Sequence, residues 1–190
     1  MKKLVVLLLV SLMASVAFAG LDPDTDSFGV YFDMAGNSNS ASAALFTPFP
    51  VYLLLMNPAG TTDGFECTVT PAGAPYFILG TTLPTGALDV DAAANGYAVG
   101  AATPFVNNGG VMLLCTWTFM VQAATPLEFT ISQATAPSMP GGLPVVTGNG
   151  VLRRCGVASG STSLPCARVN GAAPVAAEVS SFGNVKSLFR

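Results

Sequence analysis

Asp22, Asp24 and Asp26 stand at alternate positions in LDPDTDSFGVYFDM, and Asp33 is the twelfth residue counted from Asp22. Calcium takes about six to eight oxygen ligands, and three carboxylates at this spacing can supply one side of such a shell. Asp22, Asp24 and Asp26 are therefore candidate calcium ligands, and calcium is the one cofactor the sequence suggests. The pattern departs from a calcium hand in two places. Ser27 fills the sixth position, where a glycine is needed, and Asp33 has a shorter arm than the glutamate expected at the twelfth. Phe28, Val30 and Phe32 then alternate with Gly29, Tyr31 and Asp33, which is strand spacing and leaves no room for a flanking helix. The same residues read equally as a solvated acidic lead-in to a first strand.

Little other reactive chemistry is present. The chain has no histidine, so Ser-His-Asp and Cys-His nucleophile systems and histidine-bound metals are excluded. No glycine-rich phosphate cradle occurs. Glu66 and Glu128 fall at outward parity on expected strands, where a carboxylate is ordinarily solvated surface rather than half of a hydrolytic pair. An enzyme is not expected. Sugar-binding surfaces expose rows of aromatic rings, for which Tyr31, Tyr52, Tyr76 and Tyr97 are the candidates. Trp117, the single tryptophan, has core parity and is expected to pack.

Four cysteines, Cys67, Cys115, Cys155 and Cys166, complete the inventory. An even number in an exported chain points to two disulfides. Cys67 shares an apolar parity with Phe65 and Val69, and Cys115 with Leu113, Trp117 and Phe119, which pairs Cys67 with Cys115 across a core. Cys155 and Cys166 would then close a short loop. A four-thiolate zinc site lacks the clustered spacing it requires.

Export is read from residues 1–19. Lys2 and Lys3 precede an apolar run from Leu4 to Val10, and Ala17-Phe18-Ala19 is a small-x-small cleavage site, the layout of a cleaved signal peptide. The expected location is secreted: extracellular, cell surface or periplasm. Without that segment the chain has five basic and ten acidic residues, net −5, and residues 20–152 contain nine acids and no base. Such a body cannot grip phosphates, so no nucleic-acid partner is expected. No later run is long enough to span a bilayer, so no integral membrane segment is expected after cleavage.

The elements that must position these groups are strands. Fourteen prolines and twenty glycines interrupt the chain, and the stretches between them are rich in Val, Phe, Tyr and Thr with period two. Strands are expected near 28–34, 46–56, 63–70, 75–79, 96–101, 110–121, 126–132, 143–147 and 150–155. In GVMLLCTWTFMV, residues Val111, Leu113, Cys115, Trp117, Phe119 and Val121 form the larger apolar set and are expected to line the core. VYLLLM at 51–56 is apolar at both parities, as a central strand covered on both sides would be. At the C-terminus Phe182, Val185 and Phe189 have helical spacing, so a short amphipathic helix is expected there.

The order of features through residues 28–135 resembles a cohesin-type sandwich, the group related to bacterial carbohydrate-binding modules. VYLLLMNPAG resembles the early strand ending in an Asn turn. TDGFECTVTP and ILGTTLPTGAL resemble the next two segments, GYAVGAATPFVNNGGVMLLCTWTFMV the late strand pair, and TPLEFTISQAT the strand after it. The resemblance implies an all-β, antiparallel β-sandwich, cohesin-like or immunoglobulin-like. It also implies a non-catalytic role in binding a protein or polysaccharide or in building a surface scaffold. The expected organisation is a signal peptide at 1–19, an acidic lead-in at 20–27, the sandwich at 28–155, and a disulfide loop with a basic tail at 156–190. The expected function is an exported binding or adhesion module whose partner is a polysaccharide or another surface protein. The alternative is a structural subunit of a surface filament or layer.

Overall fold

The computed structural model describes residues 22–174; the expected signal peptide and C-terminal helix lie outside the described residues. Strand-forming sequence is used almost throughout. In chain order the strands are β1 (Ser27–Tyr31), β2 (Ser40–Ala41), β3 (Phe49–Met56), β4 (Gly64–Gly73), β5 (Tyr76–Thr82), β6 (Ala87–Asp89) and β7 (Gly96–Ala101). They continue with β8 (Asn107–Asn108), β9 (Val111–Val121), β10 (Leu127–Ser132), β11 (Val145–Gly148), β12 (Val151–Arg154), β13 (Gly156–Val157) and β14 (Ala167–Val169). No helix occurs among the described residues.

Two sheets face each other. The six-stranded sheet has the order β13-β1-β3-β9-β5, with β8 also on β9. The eight-stranded sheet runs β12-β11-β4-β10-β14-β2, with β7 on β4 and β6 on β7. Most pairs are antiparallel, but β1 with β13 and β14 with β2 are parallel, so both sheets are mixed. The packed body also runs past residue 155. Val157 on β13 and Ala167 and Val169 on β14 belong to the shared core. The segment expected as loop and tail thus closes one side of the sandwich.

The core between the sheets follows from period two. Phe28 and Val30 of β1, Val51, Leu53 and Leu55 of β3, and Phe65, Cys67 and Val69 of β4 point into it. Aromatic rings lock the two layers together. Phe119 meets Phe129 edge-on at 5.2 Å, Tyr97 meets Trp117 at 5.8 Å, and the Trp117 indole N–H donates to the Tyr97 hydroxyl at 2.7 Å. That bond satisfies the one polar atom the indole brings into the core.

One parity expectation fails. The register of β3 on β9 pairs Leu53 with Cys115 but Leu54 with Leu113, which leaves Leu114 as a bulge. A bulge shifts every side chain beyond it to the other face. Cys115, Trp117, Phe119 and Val121 therefore face the core as expected, but below the bulge Met112 and Leu114 take over. Leu113 and Val111 turn outward into a second, smaller cluster with Tyr31, Leu54 and Met56.

Candidate functional site

The expected calcium ligands are dispersed by the local fold. Asp26 adopts a left-handed backbone (φ 50°), and its carboxylate is turned away from solvent. It meets the Arg153 guanidinium, with Nε at 2.8 Å and Nη2 at 3.3 Å, and accepts the Ala59 amide at 2.9 Å. The neighbouring carboxylate also raises the Arg153 pKa, which keeps that side chain charged. This pair joins the residue just before β1 of one sheet to β12 of the other. Asp22 accepts from the Ser27 hydroxyl and from the Asp24 amide, and Asp33 caps the following turn through the amides of Ala35 and Asn37. Asp22, Asp24 and Asp26 do not converge, and no group of three or more acidic or cysteine side chains placed to hold a metal occurs among the described residues.

All four cysteines are buried, unbonded thiols in this structure. Burial pushes Cys115, Cys155 and Cys166 up to about 12 and Cys67 well above the usual thiol value, so the thiols are neutral and inert near pH 7. The expected Cys155–Cys166 loop closure is not made. Cys155 precedes Gly156, which lies beside Ser27, whereas Cys166 is bonded near Val30. At about 3.3 Å per residue that separation along β1 exceeds disulfide reach. Cys67 and Cys115 do share the core; their sulfurs are not joined.

The aromatic candidates form no sugar platform. Tyr31 is on the outer face of its strand but only 3% exposed, and its ring occupies the space a side chain at Gly29 would need. Burial, and after it the Asp22 carboxylate, raises its phenol pKa well above the usual range. Tyr97 and Trp117 are buried, and Tyr52 and Tyr76 are half-buried. Glu128 reaches Arg168 on the adjacent strand at 2.5 Å.

The described chain does open a groove on the outer face of the eight-stranded sheet. Its floor is made of small residues, because Ala98 and Gly100 of β7 lie at outward parity beside Glu66 and Gly64 of β4. Thr147 of β11 and Leu152 of β12 form one wall, and Val90, just past β6, forms the other. The accessible volume is about 250 Å³ and opens broadly to solvent. Val90 is 75% exposed and Leu152 44%, so the rim is apolar and uncovered.

The end of this groove is shaped by an insertion that periodicity did not disclose. β10 and β11 are two halves of one strand line along β4: Ser132 lies opposite Thr68, and Val145 opposite Glu66. Residues 133–144 leave the line between them and cross the outer face. The Glu66 carboxylate holds this strap, accepting the Ser138 amide and hydroxyl, each at 2.7 Å. At the neck the Gln133 amide donates to the Gly142 carbonyl at 3.3 Å. Glu66, expected as plain solvated surface, is thus a tether. A proline- and glycine-rich stretch reads as loop from sequence, and only the register shows that it interrupts one strand.

The site offers shape and apolar surface, with one carboxylate already engaged. Among the described residues no acid–base pair faces it. No helix there is long and apolar enough to cross a membrane. No family model matches the sequence. No curated protein matches it either.

Among the solved structures similar to the chain are cohesin modules. The sixth cohesin of scaffoldin B from Acetivibrio cellulolyticus, solved with a dockerin, is 11% identical; it covers 76% of this chain and 98% of its own, with a TM-score of 0.48. The cohesin of a family 33 glycoside hydrolase from Clostridium perfringens is 9% identical over 68% of this chain and 89% of that one, TM-score 0.45. A non-cellulosomal cohesin from Archaeoglobus fulgidus is 13% identical over 69% and 86%, TM-score 0.43.

Proposed function

We propose that this chain is an exported, non-catalytic binding module that presents the outer face of its eight-stranded sheet to a protein partner. The observation that carries the reading is the groove between Val90 and Leu152. Its rim is apolar and exposed, and its floor at Ala98 and Gly100 is cut low by small residues. Such a cleft takes a protruding apolar side chain or a narrow chain segment, with specificity from shape. A protein ligand suits it better than a polysaccharide, because sugar rings need exposed aromatic faces and the groove lining offers only the buried Phe65. Export is supported by the signal-peptide layout of residues 1–19 and by the base-free body that follows. The absence of histidine supports a binding role over catalysis.

Gly100 provides the test. A side chain there meets no atom within 4 Å, so Gly100→Leu fills the floor while leaving the sheet intact. Peptides selected from a displayed random library, and a glycan array, would be read against the unaltered chain and this variant. Peptide binders that lose the variant support the reading. Binders indifferent to Gly100→Leu, or glycan binding without peptide binding, would sink it.

A further inference from the structure

At a sheet edge a row of backbone N–H and C=O groups lacks a strand partner. Proteins that remain single blunt such edges with charge, proline, bulges or very short strands. Most edges here follow that rule. β13 and β2 have two residues each, β6 has three and ends on Asp89, and β12 carries Arg153 and Arg154. β5 is long and bears neither charge nor proline; one bulge is its only such feature. Among the described residues this strand, seven residues long, pairs only with β9 and closes the path of its sheet, with a single bulged residue, Leu79, in its register. Phe77, Ile78 and Leu79 are exposed along it. No charged residue occurs from Cys67 to Leu88, and no proline lies within the strand.

We infer that β5 is the contact through which two copies of this chain pair antiparallel about a two-fold axis. The charge distribution selects the occupant. Residues 22–174 hold nine acids and three bases, so two copies repel over much of their surface and can meet without penalty along an uncharged edge. The backbone row requires an extended strand as its mate. The apolar side chains require that strand to be uncharged, and a second β5 is such a strand. Pro75 and Pro84 bracket the contact and limit its register. A two-fold axis uses both edges at once and leaves none open, so the product is a closed pair rather than a fibre. This surface is separate from the groove and does not depend on it.

Sedimentation equilibrium of the chain as purified, over a concentration series, tests the pairing. The unaltered chain is expected to reach twice its monomer mass and to dissociate on dilution. Gly80 has open space where a side chain would project, so Gly80→Lys should weaken the dimer by more than about tenfold with an unchanged thermal melt, while Gly80→Ala keeps it. Leu79→Lys is the second disrupting variant. A monomer at every concentration, a dimer indifferent to both lysine variants, or a ladder of larger species would each overturn the inference.

Discussion

The two sheets treat their outer faces differently. On the six-stranded sheet, Tyr31, Leu54, Met56 and Val111 point away from the main core and are still buried. The turn after β1 lies over them, with Gly36 against the Met56 side chain, and Ala158, just after β13, packs alongside. On the eight-stranded sheet, Val90 and Leu152 point outward and stay in solvent, although the strap at 133–144 passes close by. The chain therefore has the means to cover apolar surface, yet leaves this stretch open, as it leaves the β5 edge of the other sheet. Covered surface of this kind contributes to stability, whereas surface left open contributes little and is free to bind.

That contrast can be broken by experiment, beginning with the largest effect. Burial in the core between the sheets keeps the four thiols neutral. A group whose folded pKa lies above its unfolded value contributes stability fully below the unfolded value and loses it as pH rises. The thiols start from 9.0 and reach about 12 for Cys115, Cys155 and Cys166. The reduced chain should then hold its stability below pH 9 and lose about 1.4 kcal/mol per pH unit for each such thiol between those limits. Denaturant midpoints across that range measure the slope. A flat profile would show that the cysteines are not buried thiols.

Truncation separates the faces directly. Leu54→Ala on the covered face should cost about 2–5 kcal/mol, as for other fully buried leucines. Leu152→Ala on the open face should stay within about 0.5 kcal/mol. Equal costs would erase the distinction between the two faces. Asp26→Ala should cost about 2 kcal/mol, because it removes the counter-charge of Arg153 and the acceptor of the Ala59 amide. Chemical denaturation of the single and double variants with Arg153→Ala would show the coupling. Glu66→Ala should cost less, about 1 kcal/mol, yet it should speed hydrogen exchange at the Ser138 amide. Unchanged exchange there would mean the strap is held by other contacts. The smallest effect belongs to calcium. Millimolar calcium should leave the melting temperature where it was, since Asp26 is committed to Arg153; a rise of several degrees would show that the three aspartates gather after all.

Much of the architecture was legible because strand residues alternate. VYLLLM, apolar at both parities, is indeed a strand buried on both faces. In GVMLLCTWTFMV alternation gives the inward set from Cys115 to Val121 but not from Val111 to Leu114, since a single bulged residue leaves no mark on composition. β13 and β14 are not legible in the sequence because two or three residues carry too little periodicity. Their pairing is set by partners more than a hundred residues away in the case of β1, and by β10 for β14. The Asp26–Arg153 contact spans 127 positions, so local spacing suggested a ligand set where long-range packing made an ion pair. The groove is tertiary in origin. Ala98 and Gly100 are unremarkable as residues, and become a floor only when Glu66, Thr147, Leu152 and Val90 stand around them.

The central claim is that the open face, not the covered one, receives a partner. The most direct measurement is amide chemical-shift mapping of the chain titrated with a peptide selected from a displayed library. Shifts centred on Ala98, Gly100 and Thr147, abolished by Gly100→Leu, are the expected result. Shifts centred on the other sheet, or a peptide that binds the Gly100→Leu chain equally well, would contradict it.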